Sequence, residues 1–212
     1  MLIAYEIGLL KSTTGVQLGA IVSTGFAVWL LATREASPLI PLLGAVITLA
    51  LGFSYASNLF GHDGHALRRY ILLTPDWAGL FSAKNLAFCL VTVAELVPLV
   101  LAAIIRLPPA STLSLLGSTI LVILLLILWG NISSMLFPSA GSREGVFMNQ
   151  VAPLAAWGAP FAIHRSIAAF GSMLFLAAVC AGAICCFALY RLMLRGISSH
   201  FEEEAGAVLE RM

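Results

Sequence analysis

The chain has 212 residues, of which 60% are hydrophobic and only 10% are charged, and its formal net charge is +1. Soluble domains carry about 25% charged residues, so this composition argues against an aqueous globular domain. The near balance of charge also argues against a broad nucleic-acid-binding surface or an acidic tail.

The first eleven residues predict a short amphipathic lead-in that ends at Lys11 and lies along the membrane interface. They lack the basic region of a cleaved signal peptide, so we expect the first membrane helix to direct insertion. A helix needs about 20 apolar residues to cross the hydrocarbon layer. Five segments meet this requirement comfortably, namely 14–33, 39–60, 79–105, 112–136 and 167–190.

A sixth segment, 147–163, is short and interrupted by Pro153, Gly158 and Pro160. We expect it to be kinked or re-entrant and to pack inside the bundle, because backbone groups freed by proline must be shielded from lipid. The four cysteines lie in apolar runs and are interpreted as small hydrophobic residues.

The predicted fold is therefore an all-α integral membrane protein, a bundle of six transmembrane helices with a short cytoplasmic coupling helix. It divides into the lead-in (1–13), a six-span membrane domain (14–190) and a polar cytoplasmic tail helix (191–212). Basic residues favour cytoplasmic loops. With the N-terminus inside, the cytoplasmic side receives Lys11, Arg68, Arg69, Lys84, Arg143, Arg191, Arg195 and Arg211. The opposite side receives Arg34, Arg106 and Arg165, so both termini are predicted to be cytoplasmic.

A compact polar insert between the second and third spans is the most informative feature of the sequence. It contains Asn58-Leu59-Phe60-Gly61-His62-Asp63-Gly64-His65, then Arg68-Arg69, then Pro75-Asp76-Trp77. Its glycines permit a tight reversal, and residues 66–73 predict a short helix across the mouth of two spans. Asp76 is predicted to be the N-cap of the third span. An insert of this kind indicates a surface for a partner.

Four motifs occur here in order. They are Asn58-Leu59-Phe60-Gly61-His62-Asp63-Gly64, Tyr70-Ile71-Leu72-Leu73-Thr74-Pro75, Ala83-Lys84-Asn85-Leu86-Ala87 and Gly130-Asn131-Ile132-Ser133-Ser134-Met135-Leu136-Phe137-Pro138. Together they resemble the C-terminal membrane half of the permeases of type-2 ATP-binding-cassette (ABC) exporters, over about residues 50 to 212. Ala83 departs from the family pattern, which often has glycine at that position.

The resemblance implies that the insert docks into a cleft on a separate ATPase subunit. The residues that would carry this coupling are Gly61, His62, Asp63, Arg68, Arg69, Tyr70, Pro75 and Trp77. It further implies two ATPase subunits and a second permease half, in a homo- or heterodimer within the lipid bilayer, with no nucleic acid. No Walker A pattern occurs in the sequence, so ATP and Mg²⁺ would be bound by the partner. We therefore expect no enzymatic activity and no cofactor in this chain.

Glu95 is the acidic residue placed well inside a predicted span. A charged group at that depth costs about 2.5–3.5 kcal/mol, so it normally faces a partner or a water-filled cavity. Two interpretations stay open. Glu95 lies on a substrate path or pairs with a basic residue, or its carboxyl group is hydrogen-bonded to Thr92 or to a neighbouring serine.

Asn58, Asn85 and Asn131 are all predicted at the cytoplasmic ends of spans. We interpret them as interhelical hydrogen-bonding residues that tie neighbouring helices together. Lys84, one turn into the third span, is expected to extend its ammonium group toward lipid phosphates.

The resemblance thus implies the permease subunit of an ABC exporter, which we expect in the bacterial inner (plasma) membrane. The scarcity of fixed charge favours a lipid-like or amphipathic cargo. The alternative is a non-transporting helical scaffold subunit of a larger bioenergetic or secretion complex. A metal-dependent intramembrane enzyme would have to use His62, Asp63 and His65, but three potential ligands within four residues, flanked by two glycines, more often form a polar turn. No metal site is therefore predicted.

Overall fold

The computed structural model describes residues 2–11, 14–33, 37, 39–56, 76–136 and 172–210. Every regular element within these ranges is an α-helix. In chain order they are α1 (Leu2–Lys11), α2 (Thr14–Ala32), α3 (Leu39–Ala56), α4 (Trp77–Arg106), α5 (Pro109–Leu136) and α6 (Ser172–Glu210).

Four of these helices are long and apolar enough to cross a membrane, which makes the chain a helical membrane protein. The four segments are Thr14–Ala32, Trp77–Arg106, Pro109–Ile132 and Met173–Gly196. In α3, the stretch Leu39–Leu51 is a shorter apolar helix. The predicted segment 147–163 lies outside the described residues, so the six-span bundle stays a prediction.

The α4–α5 connection shows how the sequence ends one helix and begins the next. Leu107 adopts an extended conformation before Pro108, as residues that precede proline usually do, while its N–H still donates to the Ala103 carbonyl at 2.9 Å. Pro109 then occupies the first position of α5, where no N–H is needed. The Thr112 hydroxyl group donates to the Ala103 carbonyl at 3.3 Å and closes the hairpin.

α4 lies at the centre of the described fold, because it packs against each of the other five described helices. Its side chains supply much of the apolar core, and Phe81, Phe88 and Leu99 are almost fully buried. α2 and α3 form a second close pair. There Gly44 lies so near Phe26 that an added Cβ would be 2.8 Å from the ring carbon Cγ. Small residues permit such close helix approach in membranes, where packing drives helix association.

α6 packs mainly on α5 and continues without interruption from the predicted sixth span into the predicted tail. Gly117 of α5 accommodates Phe175, and Gly182 of α6 accommodates Leu121. On the opposite side α6 carries exposed apolar residues, among them Met173 and Ile184. Such an outward apolar face suits contact with lipid.

Candidate functional site

The charged residues of α4 are Lys84, Glu95 and Arg106, and they are spaced eleven residues apart. Eleven residues make about three turns at 3.6 residues per turn, so all three side chains leave the same face of the helix. That face contacts α1 and α2. We call this arrangement the α4 seam, meaning Lys84, Glu95 and Arg106 together with the residues that they contact, Glu6, Gly19 and Leu30.

The first contact of the seam is a buried ion pair between α4 and α1. The Lys84 ammonium group donates to Glu6 Oε2 at 3.2 Å, and both side chains have no exposed surface. The prediction that Lys84 reaches lipid phosphates is therefore wrong. A partner 78 residues earlier in the chain provides the negative charge instead. α1 is consequently packed against the central helix through a charged contact.

The second contact joins Glu95 to Gly19 of α2. Glu95 is 7% exposed, and a Cβ placed on Gly19 would lie 3.2 Å from its Oε1. The absent side chain of Gly19 thus makes room for the carboxyl group. Oε1 accepts no hydrogen bond from any described residue, so the predicted bond from Thr92 or a serine does not form at this atom.

Polar groups of α2 and α3 surround this point. The Thr48 hydroxyl group is within hydrogen-bonding distance of the Gly44 carbonyl (2.9 Å) and, more weakly, of the Gly19 carbonyl (3.4 Å). Ser23, one turn along α2 from Gly19, is fully buried, and its hydroxyl group has no partner among the described residues. Neither α2 nor α3 contains a charged residue that could neutralise Glu95. The described parts of α2 and α3 therefore offer Glu95 polar groups but no charge.

The third contact secures the end of α2. Arg106 donates from Nε to the Leu30 carbonyl at 3.4 Å and from its terminal nitrogen to the Thr33 carbonyl. The last carbonyls of a helix have no partner within it, and a basic side chain can satisfy them. Gly19 contacts Glu95 and Leu30 contacts Arg106, so residue numbers rise together in the two helices and α4 runs parallel to α2.

The length of the seam along α4 is close to the thickness of the hydrocarbon core of a bilayer. Lys84 and Arg106 are 22 residues apart in α4, which corresponds to about 33 Å at 1.5 Å per residue. The hydrocarbon core of a bilayer is about 30 Å thick. The separation of the two basic residues therefore matches the thickness of the hydrocarbon core, and Glu95 is midway between them along α4.

A second polar cluster lies on another face of α4, near its first residues. The Asn85 amide donates to Asn131 Oδ1 at 3.1 Å and to the Tyr190 hydroxyl group at 3.2 Å. The Tyr190 hydroxyl group lies 3.5 Å from Ser82 Oγ. The structure thus places two of the three predicted interhelical asparagines in contact and joins α4, α5 and α6 through them.

A cavity of about 330 Å³ adjoins this cluster between α4, α5 and α6. Ser82, Asn85 and Tyr190 form its polar wall, and Arg191 lies at its exposed side. The remaining lining is apolar, with Leu86 and Phe187 among the contributing residues. None of the lining residues is acidic.

The predicted coupling element is described only at its last two residues. Asp76 is the N-cap of α4, with its carboxylate accepting the Gly79 N–H at 2.8 Å, which confirms that prediction. Trp77 is 3% exposed and belongs to the apolar core, so its ring faces the bundle. Eight predicted site residues lie outside the described residues: Asn58, Gly61, His62, Asp63, Arg68, Arg69, Tyr70 and Pro75.

Within the described ranges no group of three His, Cys, Asp or Glu side chains is arranged to hold a metal ion. The candidate ligands His62, Asp63 and His65 lie outside those ranges. Sequence reasoning missed Glu6, Gly19 and Tyr190. The regular spacing of the charged residues in α4 was a usable signal for a contact face, but it did not identify the partners.

Comparison with known proteins identifies no relative: no protein-family model, no curated protein and no solved structure matches the chain. The likeness to exporter permeases therefore consists of the sequence motifs alone.

Proposed function

We propose that this chain is the membrane-spanning permease subunit of an ABC exporter. It would pair with a second permease half and with two separate ATPase subunits that bind ATP and Mg²⁺. Both termini would lie in the cytoplasm of a bacterial cell, and the chain would cross the inner (plasma) membrane six times. The cargo would be lipid-like or amphipathic.

The observation that supports this proposal most directly is the position of α4. This helix begins at Trp77, where the polar insert ends, with Asp76 as its N-cap, and it packs against each of the other described helices. A force applied to the insert would therefore reach the whole described bundle through one helix. A coupling element needs this connection, because a partner outside the membrane must move helices within it.

The first residues of α4 suit force transmission. The Asp76 cap satisfies a backbone N–H that would otherwise weaken the start of the helix. Trp77 packs into the core at the first position of α4. A displacement of the insert would therefore move the whole helix, because its first turn is held in place and does not unwind. In this proposal Trp77 anchors the coupling element to the bundle, and the arginines Arg68 and Arg69 contact the ATPase.

The α4 seam suggests which parts would move together. The Lys84–Glu6 ion pair and the Arg106 contacts with the end of α2 tie α1, α2 and α4 at both ends of the seam. These three helices would shift as one unit. Glu95 could contact cargo only if α2 separated from α4, because its carboxyl group packs against Gly19.

The test uses the tagged chain purified in mild detergent from its own membranes. An ATPase that co-purifies in a two-to-two ratio with permease halves is the expected result. In that complex, the double substitution R68E/R69E should abolish the stimulation of ATP hydrolysis relative to the isolated ATPase. R195E is the matched control, since Arg195 is an exposed arginine of α6 outside the insert.

Unchanged ATPase binding and stimulation in R68E/R69E would contradict the proposal. Co-purification of pigments or redox subunits in place of an ATPase would favour the non-transporting scaffold subunit.

A further inference from the structure

The cavity between α4, α5 and α6 has the composition of a small-ligand site. Ligand pockets are mostly apolar with a few converging polar groups, and their volumes begin at about 300 Å³. This cavity of about 330 Å³ has an apolar lining, one polar wall and one cationic side chain. We propose that it binds an anionic phospholipid of the surrounding bilayer, with the phosphate at Arg191 and part of one acyl chain against the apolar lining.

The depth of the lining residues agrees with the layout of a phospholipid. Asn85 precedes Glu95 by ten residues, which corresponds to about 15 Å along α4, half the thickness of a hydrocarbon core. Tyr190 is hydrogen-bonded to Asn85, so Arg191 lies at the same level. Cys89 and Phe187 line the cavity about one turn deeper. The cavity therefore extends from the headgroup boundary into the acyl-chain region.

The charges of the site favour an anionic headgroup. Arg191 is exposed, and none of the described residues that line the cavity is acidic. Planar guanidinium groups bind phosphate oxygens with two parallel hydrogen bonds. Basic pockets between membrane helices commonly bind the headgroups of anionic lipids.

The polar wall is held in place by contacts within the protein. The Asn85 amide is engaged by both Asn131 and Tyr190, so α4, α5 and α6 are fixed around the cavity before any ligand enters. Such a preorganised site avoids the cost of ordering side chains on binding. The volume accommodates only part of one chain, and the rest of the lipid would remain in the bilayer. The proposed lipid is a resident molecule and not cargo, so this inference does not depend on the exporter proposal.

Native mass spectrometry of the full chain in detergent tests the site with two lipids that have identical acyl chains. Phosphatidylglycerol should remain bound, whereas phosphatidylcholine, which has no net charge, should dissociate. R191Q should weaken phosphatidylglycerol binding about fivefold, the effect expected of one basic residue at a membrane surface. R191K should retain most of the binding. R195Q is the matched control, because Arg195 lies one turn away on α6 and does not line the cavity.

A second variant and a competition experiment separate the remaining explanations. L86W should reduce phosphatidylglycerol binding by filling the apolar part of the cavity while leaving Arg191 in place. Inorganic phosphate at millimolar concentration should not displace the lipid. Equal binding of the two lipids, equal losses in R191Q and R195Q, unchanged binding in L86W or displacement by inorganic phosphate would each overturn the proposal.

Discussion

The Lys84 ammonium group lies 3.2 Å from Glu6 Oε2, and neither side chain has any exposed surface. A buried pair of this kind contributes little net stability relative to apolar residues, but removal of one partner leaves an uncompensated charge. The pair therefore makes the position of α1 on α4 dependent on both residues being present.

The substitution K84M should lower the free energy of unfolding by about 3–5 kcal/mol, because it removes the positive charge 3.2 Å from Glu6 Oε2 at a site where neither side chain has exposed surface. The double substitution K84M/E6M should recover most of that loss. Unfolding in detergent micelles, followed by helical circular dichroism, measures both effects. R195M, at an exposed position, should change stability by less than about 0.5 kcal/mol. A double variant as unstable as K84M would contradict the importance of the pair.

At the start of α4, the substitution G79A should change stability in opposite directions in the presence and in the absence of the Asp76 side chain. An added Cβ on Gly79 would lie 2.8 Å from Asp76 Cγ, so G79A should displace the capping carboxylate and cost about 1 kcal/mol. In the D76A background that conflict is absent. There G79A should stabilise the protein by up to about 1 kcal/mol, because alanine is a better helix former than glycine. Thermal unfolding of the original chain, G79A, D76A and D76A/G79A measures whether the effect of G79A on stability changes sign. The same effect of G79A in both backgrounds would contradict the role of Asp76 as N-cap.

The contact between Gly19 and Glu95 predicts that the stability cost of a larger side chain at position 19 depends on the presence of the Glu95 carboxyl group. G19V should cost about 1–3 kcal/mol, because the larger side chain overlaps the Glu95 carboxyl group. E95A should relieve most of that cost when the two substitutions are combined. G25V is the matched control on the same helix, since an added Cβ on Gly25 meets nothing within 4 Å. Stability in micelles is the measurement, and equal costs for G19V in the presence and absence of Glu95 would exclude the contact.

Within the described residues the sequence predicted most helix positions well, because long apolar runs indicate membrane spans. The apolar part of α3, Leu39–Leu51, is shorter than the span predicted for 39–60. The predicted spans 14–33 and 112–136 correspond closely to α2 and α5. The Asp76 cap was predictable because its determinants are local. The contacts of the seam were not, since the partners of Lys84 and Arg106 lie more than seventy residues away. Glycine at position 19 carries no side-chain signal, yet its absence of a side chain determines where the Glu95 carboxyl group can lie.

Asn85 and Asn131 supply the last prediction, a coupling energy between α4 and α5. Their side chains are hydrogen-bonded at 3.1 Å, and both are buried. Interhelical hydrogen bonds in membrane proteins average about 0.6 kcal/mol and reach about 1.7 kcal/mol. A double-mutant cycle with N85A and N131A should give a value in this range by unfolding in micelles. A parallel cycle with N131A on α5 and S23A on α2, whose side chains are not hydrogen-bonded to each other, should give a coupling energy near zero. A coupling energy near zero for the asparagine pair would show that the bond does not hold the two helices together.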